Sequence, residues 1–167
     1  MAAMKKNQQT EINQEQKSLK ILIANGVNLD LLGRRNHFHY GHFTLENLES
    51  QTIKWCREFS LPQKVTITPS FFQSNSESDF LSYISKDWDG IVLNAGAWTH
   101  TSLALADRLE ALGTPFIEAH ISNLSRRESY RKLSYLTPLS VGLVSGLGMR
   151  SYQTALFSLV QYLIDKE

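Results

Sequence analysis

Residues 20–41 read KILIANGVNLDLLGRRNHFHYG. The apolar run from Ile21 to Ala24 is too short for a helix and rich in branched side chains, which predicts a buried strand ending at the Asn25-Gly26 turn. Beyond that turn no periodic pattern resumes until a helix opens at Thr44, and so long a connection inside a compact domain signals function or disorder. Its content argues for function. A basic pair, Arg34 and Arg35, precedes a phenol, Tyr40, and Gly41 lets the backbone turn before the helix.

Downstream, Leu45, Leu48, Ile53, Trp55, Cys56 and Phe59 are spaced as one face of a helix over 44–59, with Pro62 in the connection that follows. Residues 64–70 alternate Val65, Ile67 and Pro69 with polar side chains and predict a second strand, near a sheet edge because of the proline. Ser76 and Asp79 have the spacing of a capping box opening a helix through Trp88. DGIVLN at 89–94 predicts a third buried strand, and a helix over 101–112 follows that Gly113 stops. A fourth strand is expected over 114–120. Ser125 and Glu128 have the spacing of a second capping box, opening a helical turn with Arg126, Arg127 and Arg131. A fifth strand over 140–145 precedes a last helix over 150–164, which carries Tyr152, Leu156, Leu159, Val160 and Leu163 on one side.

Strand and helix alternate throughout, and several strands are apolar on both faces. This pattern asks for a parallel sheet covered by helices on each side, an α/β, doubly wound fold. Ligands in such sheets collect at the carboxyl ends of the strands. The polar clusters fall there: 25–40 after the first strand, 94–100 after the third, and 118–131 at and after the fourth.

The chain has 167 residues, enough for one well-buried core, and one domain over 19–167 is expected. Residues 1–18 are Gln, Asn, Lys and Glu with almost nothing to bury, and read as a disordered or loosely attached polar extension. Basic and acidic residues nearly cancel to a formal net charge of +1, so no global field draws in nucleic acid or anionic lipid. No apolar run approaches a membrane span and the start lacks the apolar segment of a signal peptide, so the chain reads as cytoplasmic. The single cysteine, Cys56, sits beside Trp55 on the expected helix face and reads as a packed thiol.

Several patterns point to chemistry the chain does not carry. Gly146-Leu147-Gly148 begins like a dinucleotide fingerprint, but Ser151 stands at its third glycine position and the chain is almost over. Gly142 to Gly146 is G-x-x-S-G, not a nucleophile elbow, which argues against Ser145 as a hydrolase nucleophile. His37, His39 and His42 have no cysteine or carboxylate cluster to complete a metal site, and no metal is expected.

Other patterns are harder to set aside. Glu118 and His120 lie two apart on a strand and share a face, where the carboxylate can orient or charge the imidazole, although a simple ion pair would look the same. Asn94 closes a strand, His100 lies in the following turn, and Asp107 comes two helical turns later on the same side. Arg127 and Arg131, four apart and beside His120, make either a solvated face or an anion site.

These stretches resemble the type II 3-dehydroquinate dehydratases. The resemblance runs from Lys20 to Leu163 through NGVNLDLLGRR with Tyr40-Gly41, FFQSN at 71–75, LNAGAWTHTS at 93–102, IEAHISN at 117–123, RRESYRKLSYL at 126–136 and GLGMRSY at 146–152. It implies a flavodoxin-like sandwich, its five-stranded parallel sheet in the order 2-1-3-4-5, in a single catalytic domain over 19–167. It also implies dehydration of 3-dehydroquinate to 3-dehydroshikimate through an enolate, a reaction of the shikimate route to aromatic amino acids and of quinate catabolism, with no cofactor, no metal and no lysine Schiff base. By the same resemblance Tyr40 is the general base, Arg35 its activating arginine, His120 the proton donor to the departing hydroxyl and Glu118 its partner. Asn94, His100, Asp107, Ile121, Ser122 and Arg131 fall on substrate-binding positions, and Asn28 and Arg127 on further active-site positions. Trimers assembled into a homododecamer are implied, with Asp107 reaching into a neighbouring subunit's site.

Elementary chemistry agrees with those roles. A free tyrosine with a pKa of about 10 is only ~0.1% phenolate at neutral pH, so a tyrosine base needs a cation within reach. A histidine with a neighbouring carboxylate can deliver a proton near neutrality, and a substrate carboxylate needs directed donors such as Arg131, Ser122 and the Ile121 amide.

The chain departs from the family pattern at Val27 in place of proline, Asp30 in place of asparagine, Asn36-His37 in place of Glu-Pro, Ser78 in place of glycine and Ser125 in place of histidine. None removes a catalytic group, and Asn36-His37 bears on how the loop between Arg35 and Tyr40 closes. The competing class is a non-enzymatic flavodoxin-like module that binds a flavin or receives a signal. A receiver needs clustered acids at its first strand end, where only Asp30 is near.

Overall fold

The computed structural model describes residues 17–166. The extension expected over 1–18 therefore lies, but for its last two residues, outside the described residues. Five strands, β1 (Ser18–Asn25), β2 (Thr66–Gln73), β3 (Gly90–Asn94), β4 (Phe116–His120) and β5 (Gly142–Ser145), form one parallel sheet in the order β2-β1-β3-β4-β5. This is the flavodoxin-like order, and Pro69 lies on an edge strand, where a residue without an N–H is tolerated.

The strands that read as continuous apolar runs are covered on both faces. On one face, Ile21, Ile23, Val92, Ile117 and Ala119 pack with Leu48, Trp55 and Cys56 of α2 (Leu45–Gln63) and Tyr152, Leu156, Leu159 and Val160 of α5 (Arg150–Asp165). On the other, Leu22, Ala24, Ile91, Leu93 and Phe116 pack with Phe80 and Ile84 of α3 (Glu77–Ile84) and Leu105 and Leu109 of α4 (Leu103–Leu112). Successive strand residues thus feed opposite cores, the period-two rule of a strand buried on both sides. Burial of each such Leu, Ile or Phe side chain is worth about 1.5–3 kcal/mol.

Helix boundaries differ from the expected ones for local reasons. α2 runs past the expected end at Phe59 and takes Pro62 into its last turn, ending at Lys64 in the left-handed conformation (φ 55°). Pro62 lacks the N–H that would meet the Glu58 carbonyl, and the helix tolerates it because Glu58 is exposed near the helix end. Its buried face uses Thr52 rather than Ile53: the Thr52 hydroxyl donates to the Leu48 carbonyl (2.8 Å), and Ile53 is exposed. α3 stops at Ile84, short of Trp88, whose indole donates to the Tyr83 carbonyl (3.2 Å). The Ser76 hydroxyl does accept from the Asp79 amide. The second expected capping box does not form. Asn123, not Ser125, caps a 3-10 turn Leu124–Arg126 through its side chain, and a second turn, Ser129–Arg131, follows. Among the described residues no helix is long and apolar enough to cross a membrane.

Candidate active site

The sheet registers place Asn25 beside Asn94 at the carboxyl ends of β1 and β3, so the loops after these strands leave side by side. They cross at van der Waals contact. A Cβ on Gly26 would lie 2.4 Å from the Ala95 carbonyl oxygen, and one on Gly96 (φ +64°) 2.6 Å from that of Val27. Gly26 in NGVN and Gly96 in NAGA are what let the loops pack, and the Gly26 amide donates to the Asn94 carbonyl (2.7 Å).

The loop after β1 then turns through Asn28 in the left-handed conformation (φ 65°), its amide held by the Asn75 side chain (2.7 Å). Asn36 caps α1 (His37–Tyr40) by accepting from the Phe38 amide (3.0 Å), and Gly41 (φ 72°) closes it. The departure at Asn36-His37 thus supplies the cap of the short helix that carries Tyr40. The His37 and His42 rings lie 3.9 Å apart between centroids. Among the described residues no group of three His, Cys, Asp or Glu side chains is arranged to hold a metal ion.

A cavity opens at the carboxyl ends of β1, β3 and β4. Asn28, Arg35, Tyr40, Asn94, His100, His120, Ile121, Ser122 and Arg131 line it, with Val27, Leu29, Gly96, Ala97 and Leu124. Of the site residues that the resemblance implies, Glu118, Arg127 and Asp107 lie outside this lining. Glu118 stands behind His120, Arg127 behind Tyr40 and Ser122, and Asp107 is exposed on α4.

Glu118 is fully buried and its oxygens are fully engaged. They accept from His120 Nε2 (2.8 Å), from the Ser134 hydroxyl (3.0 Å) and from the hydroxyls of Thr99 and Thr137. Burial pushes the carboxyl up, but His120 and the Thr137 and Thr99 hydroxyls outweigh it and hold the group below the usual carboxylate range. Glu118 therefore stays ionised against His120 Nε2–H, which leaves Nδ1 as the His120 nitrogen open to a ligand. His100 uses its nitrogens the other way. Its Nδ1–H donates to the Leu133 carbonyl (2.6 Å), which leaves Nε2 free to accept, and burial foremost lowers its pKa so that the ring stays neutral.

Two guanidiniums meet Tyr40. Arg35 lies over the ring face, 3.8 Å from the centroid, whereas Arg127 Nη1 donates to the phenol oxygen (3.4 Å) and to Ser122 Oγ (3.3 Å). The cation at the oxygen is thus Arg127 rather than Arg35. Arg127 and Arg131 both donate through Nε to Glu128 Oε2, at 3.2 and 3.0 Å.

Tyr152 is a second phenol nearby but serves structure. It is buried, burial pushes its pKa far up, and its hydroxyl donates to Asn25 Oδ1 (2.6 Å) while accepting from Asn94 Nδ2 (2.8 Å). Cys56 is likewise a packed thiol, pushed up to about 12 by burial. Sequence reasoning missed the hydroxyl ring around Glu118, the Asn25-Tyr152-Asn94 chain and the double contact of Glu128. Only the last left a trace, an acid between two arginines in RRESYR.

A cavity where a phenol, a carboxylate-paired imidazole and an arginine converge on an open parallel sheet defines the class: a doubly wound α/β enzyme of acid–base chemistry. Comparison with known proteins narrows it. The profile of the family described as dehydroquinase class II matches residues 19–160, and this chain belongs to that family. It is 41% identical over 148 residues to the 3-dehydroquinate dehydratase of Prochlorococcus marinus (strain NATL1A), covering 87% of this chain and 98% of that protein. To the 3-dehydroquinate dehydratase of Exiguobacterium sp. (strain ATCC BAA-1283 / AT1b) it is 38% identical over 146 residues, 86% of this chain and 96% of the other. The crystal structure of type II dehydroquinase from Propionibacterium acnes superimposes with a TM-score of 0.77 at 34% identity, over 89% of this chain and 99% of that one.

Proposed function

We propose that this chain takes 3-dehydroquinate into the cavity and eliminates water from it, giving 3-dehydroshikimate through an enolate. The observation that carries the reading is the convergence of Tyr40 and the Glu118-backed His120 on one cavity that Arg131 and Ser122 also line. Tyr40, as phenolate, takes the proton from the carbon beside the ketone, and the electron pair left behind moves onto the carbonyl oxygen as an enolate. Negative charge on the Tyr40 oxygen sits against the Arg127 guanidinium, and Arg35 covers the ring face. The enolate reforms the ketone as the carbon–oxygen bond of the β-hydroxyl breaks and a carbon–carbon double bond forms. His120 gives its Nδ1 proton to the departing oxygen, which leaves as water. Return of the Tyr40 proton to His120 through solvent resets the site.

Arg131, Ser122 and the Ile121 amide receive the substrate carboxylate, while Asn94 and the unprotonated Nε2 of His100 take its hydroxyls. Asn28 holds the turn beside them. Asp107, exposed on α4, completes the site of a neighbouring copy in a homododecamer built from trimers. The chain acts as one catalytic domain over 19–167, in the cytoplasm, without cofactor or metal. Ultraviolet absorbance of the conjugated enone product tests the reaction directly. Steady formation from 3-dehydroquinate by the purified protein is expected, and turnover that survives borohydride with substrate present separates the enolate route from a lysine imine.

A further inference from the structure

The side chain of Glu128 meets both arginines that flank the cavity. One of its oxygens, Oε2, accepts from Nε of Arg127 (3.2 Å) and Nε of Arg131 (3.0 Å). Its own backbone carbonyl accepts from the Arg131 amide (2.9 Å), closing the 3-10 turn that brings Arg131 back over the carboxylate. An arginine held at Nε keeps its terminal nitrogens free and aimed. On Arg127, whose side chain is only 7% exposed, Nη1 reaches the Tyr40 oxygen and Ser122 Oγ. Arg131 lines the cavity with Ser122 and Ile121.

We infer that Glu128 is a positioning residue that sets two guanidiniums at once, Arg127 on the phenol oxygen and Arg131 at the anion-binding side of the cavity. The inference rests on the proposed function and deepens it. Glu128 does not line the cavity, and its carboxylate meets the two arginines and its own amide. Its own amide first, and the two guanidiniums after it, keep the carboxyl below the usual range, so it stays charged where the arginines need it.

The two arms make a crossed prediction. Misplacing Arg131 weakens substrate binding and appears in KM, whereas misplacing Arg127 disturbs the reacting phenol and appears in kcat. In Glu128→Ala, KM is expected to rise about tenfold and kcat to fall about tenfold, with the thermal midpoint little changed because the contact is half exposed. Glu128→Gln keeps an oxygen at the same reach and is expected to restore at least about half of each loss on a logarithmic scale.

The deciding experiment measures kcat and KM for Glu128→Ala in three backgrounds: wild type, Arg131→Ala and Arg127→Ala. The KM effect is expected to vanish in the Arg131→Ala background while the kcat effect persists, and the reverse in the Arg127→Ala background. Wild-type kinetics in Glu128→Ala, or equal effects in all three backgrounds, would overturn the inference. The first outcome means the arginines hold themselves, and the second means a general loosening of the fold. A wild-type protein that does not convert 3-dehydroquinate would overturn the proposed function, and this inference with it.

Discussion

His120 Nε2 donates to Glu118 Oε1 across 2.8 Å, and the acceptor is a fully buried carboxylate whose other contacts are hydroxyls. The imidazole faces the cavity on one side and an anion on the other. Such a carboxylate fixes the tautomer and stabilises the ring when it carries a proton.

Glu118→Gln keeps the shape and removes the charge. Turnover is expected to fall by about 10²-fold, since a proton donor positioned and charged by its partner contributes roughly that much or more. Rotatable hydroxyls at Thr99, Ser134 and Thr137 can turn to accept from the new amide, so far-ultraviolet dichroism should be unchanged. Turnover within a factor of about three of wild type would show that His120 works without its carboxylate.

Glu118 and His100 set an acid sensitivity. Glu118 lies below its ordinary value of 4.5 in the folded chain, so the unfolded chain takes up its proton first, and the stability it contributes is complete above pH 4.5 and lost as pH falls towards its folded value. His100 lies below its ordinary 6.5, burial being the main cause, so acid again favours the unfolded chain, from 6.5 downward. In urea titrations across pH, the midpoint of His100→Gln relative to wild type should improve as pH falls below 6.5, and that of Glu118→Gln only below 4.5. A difference that is flat through both ranges would contradict the assignment.

Tyr152→Phe removes the hydroxyl that joins Asn25 to Asn94, both buried. Leaving a buried polar partner unsatisfied costs ~1–3 kcal/mol, so a loss of about 2 kcal/mol is expected in chemical denaturation. With its amide unanchored, Asn94 should also bind substrate less well, raising KM more than it lowers kcat. A variant as stable as wild type would mean the two asparagines pair with each other or with water.

What the sequence disclosed, and what it withheld, follows the range of the forces involved. Ile21 to Ala24 and 89–94 were legible as strands because burial on both faces leaves a continuous apolar run, and the sheet order followed from the resemblance. Capping at Ser76 was legible because that bond spans three residues. The box expected at Ser125 and Glu128 failed for the opposite reason: Glu128 is drawn to two guanidiniums, and Asn123 takes the cap. The sequence also favoured Ile53 over Thr52 on the buried face of α2, because hydropathy does not see that a threonine can satisfy its hydroxyl on the preceding turn. The hydroxyls on Glu118 come from Thr99, Ser134 and Thr137, and no local pattern links residues that meet only after the sheet is assembled. Arg35 and Arg127 differ in how far along the chain they stand from Tyr40. Both meet Tyr40, but the pairing of Arg127 with the oxygen spans 87 positions and emerges only in the fold.

Asp107 tests the assembly. It is exposed on α4 and does not line its own chain's cavity, and the proposed contact with substrate is made in another copy's site. Tyr40→Phe and Asp107→Asn chains, each shown inactive alone, are expected to regain part of the activity when refolded together, because some mixed sites receive an intact copy of both residues. Mixed oligomers verified by mass that are no more active than their parents would place Asp107 outside the shared site.

The proposed role of Tyr40 as the base is decided by the initial rate of enone formation from 3-dehydroquinate by wild type and by Tyr40→Phe, with folding of both checked by dichroism. Phenylalanine keeps the ring beneath Arg35 and removes only the oxygen that Arg127 holds. Rapid product formation by wild type and a loss of about 10³-fold or more in the variant are expected. A folded Tyr40→Phe protein that turns over within about tenfold of wild type would contradict that role.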